Sequence, residues 1–367
     1  MAEPKARLQG DEKYAMELQC LYEQFGYQKY KMSRFEEYAL YAENKNFLIS
    51  DDIITFSDRN GTLLALKPDV TLSIVKHAVA SGERDTKVYY NEHVYRVSGA
   101  AHAIKDILQV GLEHIGKMDL YSVCEVILLA VKSLGAIDPD FILDLSHLGL
   151  LSGLLADIPE QLHQKLLLCI SQKNSHEILQ ICAQHQIEQQ TAQRVAAAAA
   201  LYAPFPQALE QAKALVSGDE MQNALCELEQ IYAVLKSEGC ADKLHLDFSI
   251  VNDMHYYNGV IFQGFVKGVP CPVLSGGRYD KLLEKMGAPT GAMGFAVYLD
   301  QLERYDQSAQ QCKADVQLSY DEGTDPALVF KTARQLMQEG KTVLVSNDET
   351  AHHKEAVKII RMGENAN

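Results

Sequence analysis

Chemical content concentrates in four segments: Leu66-Lys67-Pro68-Asp69-Val70-Thr71, Val94-Tyr95-Arg96, Gln109-Val110-Gly111-Leu112-Glu113, and Tyr256-Tyr257-Asn258-Gly259 followed by Ser275-Gly276-Gly277-Arg278-Tyr279-Asp280. On a strand, alternation puts Gln109, Gly111 and Glu113 on one face and Val110 and Leu112 on the other. A polar pair then flanks a glycine that lets a ligand approach the backbone closely. Glu113 suits a cationic amine, and Gln109 offers both a donor and an acceptor. The same pattern also describes a polar strand face turned to solvent. Gly276-Gly277, ahead of a predicted helix, reads as an anion-binding turn or a tight bend. Neither glycine belongs to a Gly-x-Gly-x-x-Gly run, so a dinucleotide site has little support. Taken alone, the Tyr256-Tyr257 pair reads as packing. His102, His147, His245 and His255 read as structural or surface residues, and His352-His353 as solvated.

Elements must hold these residues in place. Lys13 to Phe25 has helical periodicity, with Tyr14, Leu18, Tyr22 and Phe25 on one face. Short strand-like runs follow at 53–56, 62–66, 87–90, 94–97 and 107–113. The Asn60-Gly61 pair between the first two predicts a hairpin turn. Thr71 to Ala80 and the apolar Leu120 to Leu134 read as helices. Strands joined by hairpins, with helices between them, predict an α+β domain on a largely antiparallel sheet. Residues 153–239, rich in Ala, Gln, Leu and Glu, read as a helical insertion into that domain, which occupies 1–152 and 240–306. Strand signals return at 244–250, 259–266 and 272–274, and Arg278 to Met286 and Met293 to Leu302 read as helices. Residues 313–367 read as one short β-α-β unit, with strands at 314–319 and 341–345 around a helix at 325–339.

Composition narrows the function. The chain has 367 residues and a formal charge of −15 from 34 basic and 49 acidic side chains. Nucleic-acid binders usually carry net positive charge, because counterion release drives their binding, so the acidity argues against that class. The eight cysteines form no Cys-x-x-Cys pair, which gives no support for a zinc site and suits a reduced, cytoplasmic protein. No amino-terminal leader pattern is present, and the longest apolar run noted, Val195 to Ala203, is too short to span a bilayer. No cofactor motif is evident.

Taken together and in order, these segments resemble the catalytic core of histidyl-tRNA synthetase, a class II synthetase, from about Gln9 to Glu303. Residues 55–59 and 66–71 look like the stretch before the family's motif 2, Val94-Tyr95-Arg96 like the start of motif 2, and Gln109 to Glu113 like its end. Tyr256 to Gly259 and Ser275 to Asp280 look like the histidine-specific stretches, and Gly294 to Leu302 like motif 3. The resemblance implies a class II synthetase-like antiparallel sheet core, with 313–367 a truncated anticodon-binding-like unit. It implies a histidine site in which Asp69, Thr71 and Gln109 face the α-amino group and Glu113 and Tyr257 the imidazole. Tyr256 and the motif 2 arginine, Arg96, complete that site.

Three departures bear on activity. Ser98 stands where the family has an ATP-contacting glutamate, Gln301 at the motif 3 arginine, and Asn252 at the family's catalytic arginine. Adenylate formation develops charge on an α-phosphate that fixed guanidinium groups stabilise, so these losses imply a chain without that chemistry. A synthetase-like chain of this kind resembles the regulatory subunits of ATP phosphoribosyltransferase, and Leu145 to Leu151 resembles them too. The implied role is non-catalytic: activation of the short catalytic subunit in histidine biosynthesis, with histidine as effector, usually in a hetero-octamer. The resemblance also implies at least a homodimer, no tRNA and no membrane. The alternatives are a divergent histidyl-tRNA synthetase and a pseudo-synthetase that binds another amino acid.

Overall fold

The structure, a computed structural model, describes residues 10–47, 53–83, 85–97, 103–251, 256–303, 314–321, 323–347 and 358–362. The chain divides into two units, Tyr14–Tyr305 and a second that contains Asp306–Asn367.

The larger unit opens with α1 (Asp11–Gln24), β1 (Gln28–Lys29), β2 (Phe35–Glu37), α2 (Tyr38–Glu43), β3 (Thr55–Ser57) and β4 (Leu63–Leu66). Strands β2, β4 and β3 form a small antiparallel sheet, and the β3–β4 turn places Gly61 at φ +83°, as the Asn-Gly signal requires. Next come α3 (Thr71–Ser81), β5 (Thr86–Val97), β6 (Ile104–Gly116), α4 (Leu120–Ile137) and β7 (Phe141–His147). The runs at 87–90 and 94–97 are thus one strand. Helix α4 is long and apolar enough to cross a membrane by length and composition, but Val123, Val126, Ile127, Ala130 and Leu134 lie in the main core.

A helical stretch follows: α5 (Leu148–Leu155), α6 (Glu160–Ser171), α7 (Ser175–Gln184), α8 (Gln189–Ala200), β8 (Tyr202–Pro204), α9 (Phe205–Lys213) and α10 (Asp219–Ser237). Its apolar faces, including Leu166, Ile178, Val195 and Leu228, join the same core cluster as Val110 and Leu112 of the sheet. Strand β8, which the alanine-rich composition hides, pairs with β9 (Leu244–Asp247), so this stretch also supplies the sheet's last strand. The unit ends with β10 (Val260–Val266), β11 (Leu274–Arg278), α11 (Asp280–Lys285), β12 (Gly291–Tyr298) and α12 (Leu299–Glu303).

Nine strands form one sheet in the order β1-β5-β6-β12-β11-β10-β7-β9-β8. Only β1–β5 and β7–β9 pair in parallel; the other neighbours are antiparallel. Two sequence expectations change here. Residues 293–298 are strand, not helix, because β12 lies at the sheet's centre. Met293, Gly294, Phe295 and Val297 are all buried there, which erases the alternation that marks a half-exposed strand. Gly276-Gly277 lies inside β11 instead of forming a turn. A Cβ on Gly276 would stand 2.3 Å from the Gly294 carbonyl oxygen, so the glycine lets adjacent strands approach.

The second unit contains β13 (Val316–Tyr320), α13 (Pro326–Gln338), β14 (Val343–Ser346) and β15 (Lys358–Met362), with Leu318, Val329 and Ala333 as a small core. Its parallel sheet runs β14-β13-β15, so the β-α-β expectation gains a third strand. That strand, Lys358-Ile359-Ile360-Arg361-Met362, is short and partly charged, which concealed it in the polar tail.

Candidate functional site

Asp69, Thr71, Arg96, Gln109, Glu113, Tyr256 and Tyr257, singled out in the sequence, all line one cavity of about 480 Å³ on a face of the nine-stranded sheet. Ser275 and Tyr279, from the last of the four segments, and Gly294, from the motif 3 stretch, line it as well, together with Tyr90, Tyr298 and Gln263, which pattern reading had not selected. Strand tyrosines read as packing in a sequence, and only the cross-strand register brings these together.

Glu113 sits at the bottom. Strand β6 is covered on both faces at this point, so the solvent-facing alternative for Gln109 and Glu113 fails: they are 3% and 2% exposed. Register places Glu113 opposite Gly294 of β12, and a Cβ there would stand 1.8 Å from Glu113 Oε2. The glycine therefore makes room for the carboxylate. Gly111 has a different role from the one its spacing suggested. Its open side is filled by the Tyr90 hydroxyl, 2.5 Å from a notional Cβ, and not by a ligand approach.

Two hydroxyls hold the carboxylate. Thr71 Oγ1, in the first turn of α3, donates to Glu113 Oε1 at 2.7 Å, and Tyr279 donates to Oε2 at 2.5 Å. Burial pushes the Glu113 carboxyl up to about 8, the Tyr279 and Thr71 bonds oppose the rise, and the charge of Asp69 adds to it. Asp69 accepts the Leu72 amide at 3.0 Å, which fixes the start of α3. Burial raises its carboxyl too, opposed by the Leu72 bond and then by the Arg96 charge. Lys67, fully buried, pairs with Glu92 of β5 and anchors the segment that carries Asp69. Arg96 donates through Nε to the Pro68 carbonyl at 3.2 Å, which ties β5 to the same segment.

Aromatic rings close the pocket. Tyr256 lies against Tyr257 with centroids 4.5 Å apart and against Tyr279 at 5.7 Å. Burial holds the hydroxyls of Tyr90, Tyr256, Tyr257 and Tyr279 well above the usual phenol range, so they serve as neutral hydrogen-bonding groups. Gln109 Nε2 is buried without a hydrogen-bond partner, a donor that a bound acceptor would satisfy. Arg96 is the one cationic side chain among the described lining residues, against the two carboxyls of Asp69 and Glu113. Such a lining suits a small zwitterion with an additional basic group. A polyphosphate would meet a single guanidinium.

Gln301, at the motif 3 arginine position, accepts from Cys271 Sγ at 3.2 Å and donates to Asp300 at 2.9 Å, and it is absent from the cavity lining. Ser98 and Asn252 lie outside the described residues, as do His102, His255, His352 and His353. His147 caps α5 by accepting from the Gly149 amide and bonds Glu227, a structural role. Among the described residues, no group of three His, Cys, Asp or Glu side chains could hold a metal ion.

The family model described as histidyl-tRNA synthetase matches residues 5–302. An ATP phosphoribosyltransferase regulatory subunit from Thermoanaerobacter sp. (strain X514) is 30% identical over 343 residues, 90% of this chain and 88% of that protein. A solved structure from Bacillus halodurans, described as an ATP phosphoribosyltransferase regulatory subunit/histidyl-tRNA synthetase, superposes with a TM-score of 0.82. It is 24% identical, over 96% of this chain and 94% of that one. A chain of the ATP phosphoribosyl transferase complex from Thermotoga maritima gives 0.65 at 22% identity, covering 79% of this chain and 97% of that one.

Proposed function

The chain belongs to the histidyl-tRNA synthetase family and, within it, to the regulatory subunits of ATP phosphoribosyltransferase, and from that premise we propose that it activates a short catalytic subunit and senses histidine through the Glu113 cavity. It serves that enzyme as a non-catalytic subunit. The observation that carries the sensing role is the lining itself: Asp69, Thr71, Gln109, Glu113 and the tyrosines form an amino-acid end, while Arg96 is the one cation among the described lining residues. In this reading Glu113 and Tyr257 meet the imidazole, and Asp69, Thr71 and Gln109 meet the α-amino group. Arg96 is left to face the carboxylate.

The partner in this reading is the short-form catalytic chain; the Thermotoga maritima neighbour, solved in an ATP phosphoribosyl transferase complex, supports a partner of that enzyme. A homodimer is the minimum assembly we propose, with a hetero-octamer as the full one. Histidine shifts the enzyme's rate only if it binds two assembly states with different affinities. Adding the purified chain to a short-form catalytic subunit should raise turnover, and histidine should then lower it. Failure of the two proteins to co-elute in gel filtration would sink the assignment. Glu113→Ala should keep the complex and the activation but lose the response to histidine.

A further inference from the structure

Arg278 and Asp280 belong to a segment singled out in the sequence, yet neither lines the Glu113 cavity. The segment serves both faces of the sheet. Tyr279 lines the Glu113 cavity, while Arg278, one residue earlier, lines a second cavity of about 290 Å³ on the opposite face. The register fixes that side: Arg278 stands opposite Met293, and Met293 opposite His114, alternating with Gly294 and Glu113. Helix α10 supplies the facing wall with Asn223, Cys226, Glu227 and Gln230, spaced i, i+3, i+4 and i+7 along one stripe. Met118 and Leu120, at the start of α4, add an apolar wall, and Asp119 between them caps α4 through the Ser122 amide at 3.0 Å.

Two opposite charges face this cavity without meeting. Arg278 is held by one edge, where Nε donates to Asp280 Oδ2 at 2.7 Å. Asp280 is pinned in turn, accepting from Asn258 Nδ2 at 3.0 Å and from the Ala292 amide at 2.9 Å. The terminal nitrogens of the guanidinium bond no other described residue, which leaves a fork of donors suited to a carboxylate. Across the cavity, His147 holds Glu227. His147 Nδ1 accepts the Gly149 amide, so Nε2 carries the ring proton and donates to Glu227 Oε2 at 3.2 Å. That bond foremost, with the Arg278 charge adding to it, keeps the Glu227 carboxyl below its ordinary range against the effect of burial. Among the described residues Arg278 has Asp280 as its ion-pair partner and does not reach Glu227. A phosphate dianion would meet two carboxylates, Asp119 and Glu227, for one guanidinium, and a bare cation would meet the guanidinium itself. A zwitterion satisfies both charges, with its carboxylate on Arg278 and its ammonium on Glu227. Asn223 adds an amide beside them, and a short side chain has Met118 and Leu120 to lie against. A cavity of about 290 Å³ is at the small end for ligand sites, which suits a small amino acid.

We propose that this second cavity binds a small aliphatic amino acid as its zwitterion, between Arg278 and Glu227. The proposal is independent of what occupies the Glu113 cavity. Cys226 is exposed and lines the site, so its alkylation by iodoacetamide reads occupancy, and Cys240 serves as a reference in the same peptide map. On the full chain, at least one of glycine, L-alanine and L-valine should slow labelling of Cys226 about fivefold as the site fills, and leave Cys240 unchanged. Isovalerate and isobutylamine, which each carry one of valine's two charges, should not protect, because each leaves Arg278 or Glu227 unmet. Glu227→Gln, which keeps an acceptor for His147, should raise the amino-acid concentration needed about tenfold, and Asn223→Ala, at an exposed position, about threefold. Glu113→Ala should keep the protection. No protection from any of the three amino acids overturns the proposal, and so does equal protection by isovalerate. Unchanged protection in Glu227→Gln also overturns it, as does its loss in Glu113→Ala, which would place the ligand in the other cavity.

Discussion

Glu113 sets the behaviour of the cavity at the scale of single residues. Its carboxyl is raised by burial from an ordinary 4.5 to about 8. Between those values the folded chain holds a proton that the unfolded chain releases, so stability falls as pH rises through the window and levels off above 8. Glu113→Gln has no such proton. The variant's stability relative to the parent should therefore improve by up to ~1.4 kcal/mol per pH unit from 5 to 8. Urea melts at pH 5, 6.5 and 8 check this, and a pH-independent offset between the two proteins would refute it. Gly294→Ala acts from the opposite strand. Its methyl would meet both Glu113 Oε2 and the Leu112 carbonyl oxygen, 2.5 Å away, and the latter is backbone that cannot swing aside. A loss of about 1–3 kcal/mol in stability is expected, together with loss of histidine binding. Thermal melts and calorimetry read the two effects separately.

At the scale of elements, the segment between β4 and α3 carries the site, and a buried ion pair anchors it. Lys67→Met would leave Glu92, with its side chain 18% exposed, without its partner. Removing one member of a buried pair costs about 3–5 kcal/mol, and this partial exposure places the change at or below the low end. Histidine affinity should fall as well, because Asp69 and Thr71 follow within four residues; a variant with unchanged melting and affinity would show that the pair does not position them. Much of this level was legible in the sequence. The Asn60-Gly61 turn, the α1 periodicity and the Gln109/Glu113 alternation are local signals that the fold leaves intact. Strand β12 was not legible, because a strand buried on both faces has no period of two and Gly291-Ala292-Met293-Gly294 reads no differently from a buried helix. Strand β8 was masked by the alanine run before it. Tyr298 and the function of Gly294 depend on pairings between residues more than a hundred positions apart, and no local pattern carries those.

At the scale of the whole molecule, acidity and a thinly cationic pocket act together. A chain of formal charge −15 gains little from releasing the counterions of a polyanion. Filter binding with tRNA at physiological salt should show no retention. Pyrophosphate exchange dependent on ATP and histidine should likewise be absent, and the single change Gln301→Arg should not create it, since residue 301 is absent from the lining. Exchange above background in the parent chain would contradict the non-catalytic assignment.

The strand order also dictates a sequence of events. Pieces β1-β5-β6 and β7-β9-β8 are complete once residue 247 has been made, and β10, β11 and β12 enter as a wedge between them. Until that wedge arrives, the β6 edge that carries Gln109 and Glu113 has unpaired backbone groups, which invites association with other chains. A chain emerging from the ribosome thus carries half a pocket for the time it takes to add about fifty residues, a few seconds at ordinary elongation rates. Competence to bind appears abruptly when Tyr298 docks. Occupancy of the cavity would then report that synthesis of the larger unit is finished, and a ligand present during translation would favour closure over aggregation.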